Sequence, residues 1–76
     1  MTTLKIEYFI DKLSKDLEIN FKLKPEENFL ENKKWDSLMT IGLLAHLDSE
    51  YSIIFDYDEL LKFNSLSKIY NEIIKK

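Results

Sequence analysis

The chain has 76 residues, room for one domain with one modest core, and it has no cysteine, so neither a disulfide nor a thiolate metal site staples it. Its net charge is −3 and its eleven basic residues are all lysine, adjacent only at Lys33-Lys34 and Lys75-Lys76, which excludes the arginine-bearing basic stripe of a nucleic-acid binder. A lone histidine excludes a His-rich metal cluster, no apolar run has the length of a membrane span, and the N-terminus lacks the apolar core of a signal peptide.

The expectation is a single soluble cytoplasmic domain over 1–76, a monomer without metal. One proline (Pro25) and one glycine (Gly42) are too little punctuation for a turn-rich all-β fold. From Leu4 to Leu17, residues Ile6, Phe9, Ile10, Leu13 and Leu17 fall at helical spacing, with Thr2 or Thr3 as N-cap. A long connection follows from Glu18 to Trp35, and long ordered loops usually have a job. In it Ile19, Phe21 and Leu23 alternate but have no partner strand, so they are read as loop anchors; Pro25-Glu26-Glu27 is expected to start one helical turn, with Phe29 and Leu30 packing inward.

The second helix is predicted over Ser37 to Tyr51, capped by Asp36 or Ser37, with Ile41, Leu44, Leu47 and Tyr51 on the core face. Asp56 with Glu59 three residues on reads as a capping box opening a short third helix that runs to about Lys62. The fourth, from Ser65, carries Leu66, Ile69, Tyr70, Ile73 and Ile74 and ends in Lys75-Lys76, favourable at the negative end of a helix dipole. The predicted fold is all-α: a four-helix bundle of three longer helices and one short third helix, with a long loop between the first and second.

Catalysis fails on geometry. A nucleophile needs a base within hydrogen-bond reach, yet Ser37 and His46 are separated by roughly 13 Å of rise along one predicted helix. Asp56 and Asp58 serve a helix start. No catalytic residue is expected and the chain is not read as an enzyme.

The segment that stands out is Trp35-Asp36-Ser37-Leu38, where the loop enters the second helix. An isolated Asp-Ser before an apolar run is a helix cap. Here it belongs to an ordered set: Phe29-Leu30-Glu31 upstream, Asp36-Ser37-Leu38, then Leu47-Asp48-Ser49-Glu50-Tyr51 with Ser52-Ile53, the short acidic helix from Asp56, a polar junction at Asn64-Ser65, and Ile69-Tyr70-Asn71-Glu72-Ile73. From Phe29 onward the chain resembles the acyl carrier protein family.

The resemblance implies that Ser37 is the attachment site of a 4′-phosphopantetheine arm derived from coenzyme A, flanked by Asp36 and Leu38, with cargo held as a thioester. It implies as partners a phosphopantetheinyl transferase, an acyl- or aminoacyl-loading ligase and an acceptor transferase. The helix start suits a phosphate, since free backbone N–H groups and the positive dipole end lie there. The partner-docking face is expected on the second helix at Met39, Gly42, Ala45, His46, Asp48 and Ser49, with His46 an exposed side chain. Met39 and Gly42 stand where fatty-acid carriers resembling this chain have acidic residues, so steering by charge is expected to be weak. Lys33-Lys34-Trp35 replaces the family's usual small lead-in, and a tryptophan just before Asp-Ser-Leu, here Trp35, resembles carriers dedicated to specialised pathways, including surface-polysaccharide and sugar-modification clusters. Acyl and aminoacyl (D-alanyl) cargo both stay open.

The competing reading is a helical interaction module with no prosthetic group, in which Ser37 is only a cap. Plainer readings also attach to single residues. Gly42 marks either the close approach of another backbone or a tolerated weak point in the helix. Met39 is a gap-filler or a surface residue, Trp35 packs over the loop onto the bundle without a ligand, and Lys33-Lys34 is a solvated pair or a contact for coenzyme A during loading.

Overall fold

The computed structural model describes residues 5–75, and these form α1 (Ile6–Asp16), a 3-10 turn at Phe29–Glu31, α2 (Ser37–Tyr51), α3 (Tyr57–Phe63) and α4 (Leu66–Ile74). The predicted all-helical architecture is the one found. α1 packs against α2 and α4, and α3 against the same two helices, closing a ring around the core.

α1 turns Phe9 and Leu13 fully inward, with Ile10 and Leu17 packed beside them. It begins at Ile6 after Lys5, whose side chain makes no capping bond; Thr2 and Thr3, the expected caps, lie outside the described residues, as does Leu4. Beyond α1 the chain turns at Glu18 in the left-handed region (φ 55°) and runs along the bundle, burying Leu23 and half-burying Ile19 and Phe21, the expected loop anchors. The helical turn of the loop forms at Phe29–Glu31, further along than Pro25. The reason is local: Asn28 caps it, its Oδ1 accepting the Leu30 N–H at 3.0 Å, while Pro25 and Glu26 make a plain turn. The Pro25 carbonyl accepts the Ser67 N–H at 2.8 Å, which ties the loop to the start of α4.

The core face of α2 is rotated from the expected one. Thr40, Leu43, His46 and Leu47 are buried, Leu44 and Tyr51 are half-buried, and Ile41 is 54% exposed. From Ser37 to Leu47 the helix has no Asp, Glu, Lys or Arg, so its own periodicity does not select a face. Packing partners select it instead: Trp35 seats on Thr40, and Leu17, the residue just after α1, covers the helix at Gly42, where an added Cβ would lie 3.2 Å from Leu17 Cγ. Gly42 thus marks the close approach of a side chain, not of another backbone.

α2 ends at Ser52 in the left-handed region (φ 56°), and the Ile53 N–H turns back to the Leu47 carbonyl at 3.2 Å. α3 opens on the expected capping box: Asp56 Oδ1 accepts the Glu59 N–H at 2.8 Å and Glu59 Oε1 accepts the Asp56 N–H at 3.0 Å. Asn64 in the left-handed region closes α3, and Ser65 caps α4 by accepting the Lys68 N–H.

Candidate functional site

The loop delivers Ser37 to the helix start through a series of short-range bonds. Asn32 accepts the Lys34 N–H on its side chain at 2.9 Å and the Trp35 N–H on its carbonyl at 3.0 Å, forming the turn that throws the Trp35 ring inward. There the ring meets Phe29 edge-on (centroids 4.7 Å apart, planes at 65°), and its Nε1–H donates to Thr40 Oγ1 at 2.9 Å. Trp35 therefore packs onto the bundle as expected, and is 8% exposed.

Asp36 follows in extended conformation as the N-cap, its Oδ1 accepting the Met39 N–H at 2.9 Å while its carbonyl accepts the Thr40 N–H at 3.2 Å. Of the two expected caps, Asp36 takes the role. Ser37, the first helical residue, is exposed, and its hydroxyl makes no hydrogen bond among the described residues. Leu38 is 76% exposed beside it. A groove of about 320 Å3 adjoins the site between the loop, the start of α2 and α3; its walls include Leu30, Trp35, Thr40, Tyr57 and Leu61.

The expected docking face is brought together only in part. Ala45, Asp48 and Ser49 are exposed, whereas Met39 is half-buried against the core and Gly42 is covered by Leu17. His46 is not an exposed side chain but 1% exposed. Its ring lies among Phe9 and Tyr51, and Nδ1–H donates to Asp16 Oδ2 on α1 at 2.7 Å. Burial removes it from any docking face. The residue missed on the outward side is Ile41, which with Leu38 and Ala45 forms an exposed, uncharged stripe. The signal was present in the charge-free run itself, which is longer than one buried face requires.

Two perturbed ionisations lie toward the far end of α2. The Lys12 ammonium is held above its ordinary value by its hydrogen bond to Glu50 and by that carboxylate's charge (Nζ to Oε1 3.2 Å). Burial pushes the Tyr51 phenol up, with the Glu50 charge adding to it. Neither group is near Ser37, since Tyr51 is fourteen positions along the same helix, a rise of about 21 Å. Among the described residues no group of His, Asp or Glu side chains is placed to hold a metal ion, and no helix is long and apolar enough to cross a membrane.

Curated proteins similar to this chain include acyl carrier proteins from Rickettsia canadensis (strain McKiel), Rickettsia massiliae (strain Mtu5) and Rickettsia prowazekii (strain Madrid E). Each is 34% identical over 68 residues, covering 90% of this chain and 76% of the relative. No family model matches the chain, and no solved structure matches it.

Proposed function

The chain belongs to the acyl carrier protein family, and on that premise we propose that it carries acyl or aminoacyl groups as thioesters on a 4′-phosphopantetheine arm attached to Ser37. It is a carrier acted on by partner enzymes and not itself an enzyme. The observation that carries the assignment of the site is the state of the Ser37 hydroxyl: exposed, at the first residue of α2, and relieved of capping because Asp36 performs it.

The residues present fit the group. The first-turn N–H groups of a helix have no intrahelical acceptor, and the helix dipole is positive there, so a phosphodiester on Ser37 is favoured. Asp36 is already engaged with the Met39 N–H, which fixes the backbone from which Ser37 projects. In the attachment reaction the Ser37 oxygen forms a bond to the pantetheine-bearing phosphorus of coenzyme A, the pyrophosphate P–O bond breaks, adenosine 3′,5′-bisphosphate leaves, and the hydroxyl proton passes to a base of the transferase. The arm supplies the thiol that holds cargo as a thioester; the chain supplies the attachment point and the surface that partners meet.

Partners on this reading are a phosphopantetheinyl transferase, an acyl- or aminoacyl-loading ligase and an acceptor transferase, all cytoplasmic. Trp35 ahead of the attachment serine and the uncharged stripe Leu38, Ile41 and Ala45 support a carrier dedicated to a specialised pathway, recognised by contact shape more than by charge. The test is loading of the apo protein by a broad-range phosphopantetheinyl transferase with coenzyme A, read by intact mass. A gain of one phosphopantetheine, absent in Ser37→Ala, supports the proposal; unchanged mass with several transferases favours an interaction module without an arm.

A further inference from the structure

We propose that the groove beside Ser37 seats the arm and that Trp35 closes its floor, so that this carrier takes short cargo and keeps it at the surface instead of threading a long chain into the bundle. The inference rests on the carrier reading and concerns what lies next to the attachment point.

The groove is continuous with Ser37, which lines it, and its volume of about 320 Å3 is at the small end of ligand sites, which run from about 300 to 1,000 Å3. Leu30, Tyr57 and Leu61 give apolar walls for a slender chain, and Tyr57 adds a hydroxyl of the kind that amides of an arm can bond. Its most buried lining residues are Trp35 and Thr40. The ring is fixed by two independent contacts, the edge-on packing against Phe29 and the indole N–H bond to Thr40. Thr40 is 2% exposed, so swinging the indole away leaves a buried hydroxyl without this partner. The ring touches Phe29, and Phe29, Leu43 and Leu60 are buried to 1% exposure or less in the same core cluster as Trp35. A long apolar chain entering here has to displace a latched tryptophan and then a close-packed core, whereas a short acyl or aminoacyl group needs neither.

Trp35 is the chain's one tryptophan, so its fluorescence reports on the groove directly. The wild-type protein and the Trp35→Ala, Trp35→Phe and Thr40→Val variants are loaded with acetyl- or dodecanoyl-coenzyme A by a broad-range transferase, and loading is verified by mass. In the wild type the Trp35 emission is expected to shift on loading by the same amount for both cargoes, and the two loaded forms are expected to melt together. In Trp35→Ala the dodecanoyl form is expected to melt several degrees above the acetyl form, because a chain bound in the vacated space stabilises only the folded state. Should Trp35→Ala not fold, Trp35→Phe, which shortens the ring, and Thr40→Val, which cuts the latch, are expected to give the same difference in smaller measure. A wild-type dodecanoyl form melting well above the acetyl form overturns the proposal. So does unchanged Trp35 emission on loading, or variants that make no distinction between the cargoes. Failure to gain mass overturns the carrier reading itself and is distinguished from these results by the mass record.

Discussion

Replacing His46 with leucine probes a polar contact between α1 and α2 whose α2 partner is fully buried. The ring is buried, Nδ1–H donates to Asp16 Oδ2 at 2.7 Å, and Nε2 is buried with no hydrogen-bond partner among the described residues. A hydrogen bond to a charged group is worth about 1.5–3 kcal/mol, and the Asp16 side chain is 56% exposed, so hydration holds this bond to the lower end of that range. Against it stands the unpaired Nε2, whose desolvation costs about 1–3 kcal/mol. The two effects nearly offset each other. His46→Leu is therefore expected to change stability by no more than about 1 kcal/mol in either direction, since an apolar side chain of similar bulk removes both. Asp16→Ala alone leaves both ring nitrogens buried and unpaired and should cost about 1–3 kcal/mol, a fall in Tm of roughly 4–8 °C for each kcal/mol in a domain of this size. In the double variant that loss should largely disappear. Thermal melts followed by far-UV circular dichroism at neutral pH measure all three. If His46→Leu melts lower than Asp16→Ala, the pairing of Nδ1 with Asp16 and the orphaned state of Nε2 are wrong.

Ser37→Ala should abolish loading yet leave Tm nearly unchanged, whereas Asp36→Ala removes the cap bond to the Met39 N–H and should cost about 1 kcal/mol in the same melts. Leu43→Ala and Leu47→Ala, at fully buried sites, should each cost about 2–5 kcal/mol, while Ile41→Ala should cost well under the low end of that range; a reversed order in urea titrations would place the core on the other face of α2. Above about pH 10 stability should fall. The Lys12 ammonium, raised by Glu50, and the Tyr51 phenol, raised by burial, both give stability that is complete below their unfolded values and is lost as pH climbs through the folded ones. Tyr51→Phe, which also deletes a buried hydroxyl that has no hydrogen-bond partner among the described residues, should lessen the alkaline decline without lowering the melting temperature at pH 7.

What could be read from the sequence was what neighbours along the chain decide. The capping box of Asp56 and Glu59 and the entry of α2 at Asp36 or Ser37 are settled within three residues, and each was recognisable from residue type and spacing. The exposure of Ser37 follows from the same locality: an N-cap aspartate leaves the next residue at the rim of the helix. The face of α2 is a different kind of question. An apolar, uncharged run offers several nearly equivalent stripes, and the choice falls to contacts from elsewhere, Leu17 over Gly42 and Asp16 on His46. The His46 bond joins residues thirty positions apart, so nothing near His46 in the chain announces its burial. Trp35 was legible as a packing residue, but its latch to Thr40 depends on the rotated face and could not be read before that face was known.

The most direct measurement is a peptide map of the loaded protein by tandem mass spectrometry. Serines at 14, 49, 52, 65 and 67 are available as internal comparisons for Ser37. The phosphopantetheine should be found on the peptide bearing Ser37 and on no other, with the fragment ions bracketing that residue. An arm on any other serine, or a protein that stays unmodified while a known carrier in the same reaction is fully converted, would contradict the assignment of Ser37.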